Sequence, residues 1–198
     1  MNTGCRFRAP QKGAVLVVSL VLLLVMTIVG VTSLRTITLE EKMASNTQNR
    51  NMALQAAESA LRDAEAWLDA RLVEPEESST GGTGVWQLDN PYGGTVSWWD
   101  HVDATWWQAT AVPYGGNPAN CCSGGIDLVD LSTTPGAQPL AANPRYLIEK
   151  QAFVPDSLTL GNVGGLMTGA FYYRVTARGV GGTDTAVSVL QTSYTRRY

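Results

Sequence analysis

The sequence holds one histidine, His101, and three cysteines, Cys5, Cys121 and Cys122. A single histidine excludes any metal site that takes two imidazoles from one chain, the HExxH zinc proteases among them. So few cysteines, two of them adjacent, exclude CxxC…CxxC thiolate cages and four-cysteine iron–sulfur ligation. There is no GxSxG elbow, no Walker loop and no DxDxDG calcium loop. Basic side chains are outnumbered 14 to 17, which argues against a general nucleic-acid binder. Apolar residues are not scarce. At 44 % hydrophobic and 16 % charged, the composition is that of a globular chain, and 198 residues suit one compact domain.

The charge that is present is unevenly placed. Residues 1–13 carry Arg6, Arg8 and Lys12 and no acid. Between Arg71 and Arg145 there is no Lys or Arg, while eight acids occur: Glu74, Glu76, Glu77, Asp89, Asp100, Asp103, Asp127 and Asp130. Residues 145–198 reverse the balance. A solvated acidic surface beside a basic strand pair accounts for this without any ligand. His101, between Asp100 and Asp103, is read as a surface residue. Gly179, Gly181 and Gly182 lie between two strand patterns, so they are read as hairpin glycines. No cofactor and no enzymatic activity are expected.

After the basic leader comes an uncharged run of 21 residues, Ala14 to Leu34. At about 1.5 Å per residue, a helix of this length crosses a hydrocarbon core. The leader charges favour a cytoplasmic N-terminus, with the remainder facing outward. The run is long for the h-region of a signal peptide and lacks an A-x-A site. No cysteine follows it closely, which excludes a lipoprotein anchor. A membrane anchor and a prepilin-type signal remain. Gln11-Lys12-Gly13 abuts Ala14 directly, which is the pattern of a leader cut after glycine with the apolar helix retained.

The helical pattern continues. Leu54, Ala57, Leu61, Ala64, Leu68 and Leu72 recur at helical spacing, with Glu58, Arg62, Asp63, Glu65 and Asp69 between them. Glu58 and Arg62 are four apart in the favourable order. Pro75 disfavours helix at Glu74, so the amphipathic half is assigned to 35–73. Gly30 and the polar run 45–51 are weak helix formers; helix is still expected there, with room for some bending or local loosening.

Residues 74–198 read as a β-rich head. Strand candidates are Val85–Leu88, Thr95–Trp99, Thr105–Val112, Arg145–Phe153, Ala170–Arg178 and Thr185–Tyr194. Short connections imply antiparallel neighbours. Phe171, Tyr173, Val175 and Ala177 share one face; Tyr172, Arg174, Thr176 and Arg178 share the other, expected to stay wet. Trp98, Trp99, Trp106 and Trp107 form two adjacent pairs. On extended strands one ring of each pair would face outward, which makes them candidates for contact with a partner subunit. Residues 113–144 read as an irregular loop with a turn or short strand near Ile126–Leu131. Once the leader is removed, Cys121 and Cys122 are the only cysteines. They pair with each other in a vicinal disulfide, pair across molecules, or stay free.

Three stretches resemble the PilX-type minor pilins of bacterial type IV pilus systems. They are Gln11–Val18; Arg35–Asn46 with Gln55–Glu65; and Tyr173–Gly182 with Val189–Gln191. The resemblance implies an α+β pilin-like fold, with a long N-terminal helix whose second half packs on an antiparallel sheet. It implies removal of residues 1–13 by prepilin peptidase at Gly13 and methylation of Ala14. It further implies a head facing the periplasm from the inner membrane, then a place in the pilus among other minor pilins, with a tip adhesin as a further partner. In the wider family the fifth mature residue is Glu, whose carboxylate meets the terminal ammonium of a neighbouring subunit. Here that position is Val18, which suits a tip or priming subunit. The carboxy-terminal disulfide loop of major pilins is also missing. Two other functions fit less well. K-like pseudopilins of type II secretion usually carry a large helical insertion, for which this chain has little room. A DNA-uptake or adhesion subunit would bind through the tryptophan strip; DNA uptake fits poorly with the acidic centre, although Arg174, Arg178, Arg196 and Arg197 could form a small local patch, and no specific nucleic acid is expected.

Overall fold

The computed structural model describes residues 13–79, 82–88, 103–118, 124–126, 139–156 and 168–198. Contacts divide the chain into two units, Met1–Ser45 and Asn46–Tyr198. One helix, α1 (Ala14–Asp69), contributes to both and runs without interruption through Gly30 and the polar run 45–51. Helix forms at both places, as expected. The predicted Glu58–Arg62 pair forms at 3.6 Å on an exposed face.

In the first unit the apolar side chains from Val15 to Leu34 are about half to three-quarters exposed. Three hydroxyls among them, those of Ser19, Thr27 and Thr32, turn back onto the helix. Ser19 donates to the Leu16 carbonyl at 2.9 Å, Thr27 to Leu24 at 2.8 Å, and Thr32 to Ile28 and Val29 at 3.0 and 2.9 Å. These three hydroxyls are therefore satisfied within the helix, which suits an apolar environment.

The second unit is a helix–sheet sandwich. Its strands are β1 (Glu77–Ser78), β2 (Val85–Gln87), β3 (Val112–Pro113), β4 (Arg145–Pro155), β5 (Gly169–Val180) and β6 (Val187–Arg196), with a short helix α2 (Ala104–Thr110) before β3. The path is β1-β2-β4-β5-β6, and β3 pairs with the start of β4. Strands β3 to β6 are antiparallel, as expected, but β1–β2 and β2–β4 are parallel. The sheet is thus mixed. The long connection through α2 and β3 is what allows β4 to return parallel to β2.

Helix α1 ends at Asp69, earlier than Pro75 alone requires. Its last turn is held from β6. The Arg196 guanidinium pairs with the Asp69 carboxylate and donates to the Arg71 carbonyl at 3.0 Å, while the Tyr194 hydroxyl donates to Asp69 at 3.1 Å. A cation at a helix C-terminus also complements its dipole.

The core lies between α1 and the sheet: Ala60, Ala64 and Leu68 pack on Val85, Val112, Tyr146, Ile148, Tyr173, Val175 and Ala177. The predicted apolar face is only partly right. Ala57, Ala64 and Leu68 are buried, but Leu54 is exposed and Leu72, beyond the helix, is 90 % exposed. The buried stripe is Ala53, Ala56, Ala57, Ala60, Ala64 and Leu68. Small side chains win because the sheet approaches closely here. A β-carbon on Gly179 would stand 2.2 Å from the Ala53 carbonyl oxygen.

Candidate functional site

The position predicted for processing comes first in the chain. Gly13 precedes the first residue of α1, and its carbonyl accepts from the Val17 amide at 3.5 Å. Its φ is +128°, a backbone conformation that side-chain-bearing residues rarely adopt, and nothing lies within 4 Å of where a β-carbon would stand. Cleavage after Gly13 would leave Ala14 as the helix terminus. Val18 lies one turn further on, 57 % exposed.

The tryptophan expectation needs correction. Thr105–Val112 is not a strand: Ala104–Thr110 is helix α2, followed by Val112–Pro113 as strand. The Asp103 carboxylate caps α2, accepting from the Thr105 amide at 3.1 Å and the Thr105 hydroxyl at 2.5 Å. These two bonds, the hydroxyl first, hold Asp103 below the ordinary carboxylate pKa. Capping outweighed the strand propensity of the Trp and Thr residues. Trp106 and Trp107 meet edge to face at 5.7 Å. Trp107 is 1 % exposed and belongs to a second core with Trp86, Ala111 and Leu147, and Trp106 packs half-buried against it. Trp107 therefore presents no outer surface. Trp98, Trp99, Cys121 and Cys122 lie outside the described residues.

This second core also corrects the expectation of a wet outer face on β5. Thr176 and Arg178 are buried, and only Tyr172 of that row is clearly exposed. Arg174 reaches sideways to Glu149 on β4. Its Nε and Nη2 donate to the two carboxylate oxygens, each at 2.8 Å, and the Glu149 side chain is wholly buried. Residue composition alone gave no sign of this buried pair. Cross-strand register, Glu149 opposite Arg174, creates it.

Two family models match the chain. PilX N-terminal covers residues 12–62, and type IV pilus assembly protein PilX C-term covers residues 40–196. This protein belongs to the PilX family of type IV pilus assembly proteins. No curated protein and no solved structure matches it. The family match joins the two halves of this PilX chain that were read separately above. The apolar helix is long enough to cross a membrane, and the head contains the terminal hairpin on which the resemblance partly rested.

Proposed function

We propose that this protein is a minor pilin that helps to start type IV pilus assembly and takes a place at or near the pilus tip. The observation that carries the reading is a PilX chain whose exposed apolar helix has no carboxylate before Glu40. In an apolar helix bundle, a carboxylate is tolerated only when paired. With Val18 in place of that acid, the helix has no means of capturing a neighbour's terminal ammonium in the usual way. A subunit with nothing ahead of it does not need one. The role is structural. Before assembly the helix anchors the protein in the inner membrane with the head in the periplasm; afterwards it packs in the filament beside other minor pilins. The partner-facing surfaces are the α1 face from Val15 to Leu34 and the half-buried Trp106.

Processing is tested by intact mass of the full-length protein, expressed with and without a prepilin peptidase. Loss of residues 1–13 plus one methyl group only with the peptidase is the expected result. An uncut chain overturns the pilin reading. Position is tested by Val18→Glu, which is expected to spread the subunit along the shaft. An unchanged distribution counts against the tip.

A further inference from the structure

We propose that the cavity between α2, the start of β4 and the end of β5 binds a carboxylate. Its walls include Trp107, Gln108, Ala142, Asn143, Arg145 and Arg178, and its volume is about 210 Å³.

Charge is the first argument. Arg145 and Arg178 are directly opposite each other on adjacent antiparallel strands. Like charges in that position destabilise a sheet. Both guanidinium groups are also desolvated, and burial pushes their pKa values below the ordinary arginine value. Arg145 has a structural task that accounts for it. Its Nη1 donates to the carbonyls of Gln108 and Ala111 at 3.1 and 2.7 Å, closing the C-terminus of α2.

Arg178 has no such task. It is 8 % exposed, and among the described residues its guanidinium makes no hydrogen bond and no ion pair. Asp103 and Asp184 are the acids whose field reaches it. Neither fills the cavity: the Asp103 carboxylate is taken by Thr105, and Asp184 sits exposed in the β5–β6 turn. An unpaired fork of donors on a side chain that is otherwise covered, beside a second cation on the neighbouring strand, is suited to an oxyanion held in bidentate fashion.

Size and lining choose among oxyanions. The cavity is smaller than the roughly 300–1,000 Å³ of typical small-molecule sites, so a nucleotide is too large. The alanines Ala104, Ala141 and Ala142, with the small part of Trp107 left open by the second core, make up the apolar lining beside the two cations. That combination fits a carboxylate on a short carbon stem better than a compact, strongly hydrated phosphate.

The proposal does not rest on the assembly role, and its test does not read assembly. Full-length protein in detergent is titrated calorimetrically at constant ionic strength with glutarate, with N-acetylglutamate α-amide and with phosphate. Both carboxylates are expected to bind with a Kd in the millimolar range or below and to raise Tm beyond matched chloride. Arg178→Gln is expected to weaken them at least tenfold. Arg178→Lys, which keeps the charge and loses the fork, should weaken them several-fold. Binding of the capped glutamate as tight as that of glutarate assigns the site to a side chain of a protein partner; binding of glutarate alone assigns it to a free dicarboxylate. No carboxylate binding by the wild type overturns the proposal, whatever the variants do. Equal binding by wild type and a folded Arg178→Gln, checked by circular dichroism, or tighter binding of phosphate than of either carboxylate, does the same.

Discussion

A β-carbon on Gly179 would stand 2.3 Å from the backbone nitrogen of Ala57. At this point the sheet meets the helix backbone to backbone, with no side chain between. Gly181 repeats the contact one step on, where a β-carbon would come within 2.3 Å of the Asn49 carbonyl oxygen. The alanine stripe of α1 is the other half of the same fit. Gly179→Ala should therefore force α1 off the sheet and cost about 3 kcal/mol, read as a lowered midpoint in urea unfolding. Gly30→Ala is the control, because nothing lies within 4 Å of its added carbon and alanine is the better helix former; it should leave the midpoint unchanged or raise it slightly.

Glu149 and Arg174 behave differently from a surface pair. Glu149 is wholly buried and Arg174 is 13 % exposed. Removing one partner strands the other charge away from water. Glu149→Gln keeps the shape and should cost about 3–5 kcal/mol. The double substitution Glu149→Leu with Arg174→Met removes both charges and should recover a large part of that loss. A double-mutant cycle measured by denaturant unfolding checks this. Additive single losses would show that the two side chains do not depend on each other.

Much of this was legible in the chain, and the failures have physical causes. The apolar run is a local pattern and appears as expected in α1, and the inner row of β5, Tyr173, Val175 and Ala177, lies in the core as its alternation implied, although the outer row is largely covered. The seam of α1 was misplaced because leucines dominate a hydrophobic pattern. The choice of alanines depends on glycines far along the chain. Helix α2 was misread because aromatic and β-branched residues favoured a strand, although Asp103 two residues before Thr105 was a capping signal. The parallel pairing of β2 with β4, the Glu149–Arg174 pair and the Arg145–Arg178 juxtaposition all arise from register between distant strands. No local pattern reports that.

Trp106 and Trp107 separate packing from partner contact. Trp107 fills the second core at 1 % exposure, so Trp107→Ala should lose about 3–5 kcal/mol. Trp106, half-buried at its edge, should cost clearly less in stability. If its ring touches a partner subunit, Trp106→Ala will reduce co-purification with the other minor pilins while its own melting temperature stays near the wild-type value. Equal loss of folding in both variants would make Trp106 a core residue and remove it from the interface.

The layer between α1 and the sheet contains two tyrosines, Tyr146 and Tyr173, each with no exposed surface. Among the described residues the Tyr146 hydroxyl has no hydrogen-bond partner. Burial, reinforced by Asp63 for Tyr146 and by Tyr198 for Tyr173, pushes both phenols well above the ordinary value of 10. Below that pH both folded and unfolded chains keep the proton, and these groups add no pH dependence. Above it the unfolded chain ionises and the folded chain does not, so the unfolded state binds fewer protons and stability falls as pH rises. Each tyrosine contributes a slope approaching about 1.4 kcal/mol per pH unit. Tyr194 and Tyr198 shift in the same direction and steepen the fall. Urea unfolding at pH 9 and pH 11 should thus differ by about 3 kcal/mol or more. Tyr146→Phe removes one buried phenol and one unpaired hydroxyl together. It should hold or raise stability at neutral pH by up to about 1 kcal/mol, and should take about 1.4 kcal/mol off the alkaline loss. An unchanged alkaline loss in Tyr146→Phe would mean that this phenol ionises in the folded protein, and that the layer around it admits water.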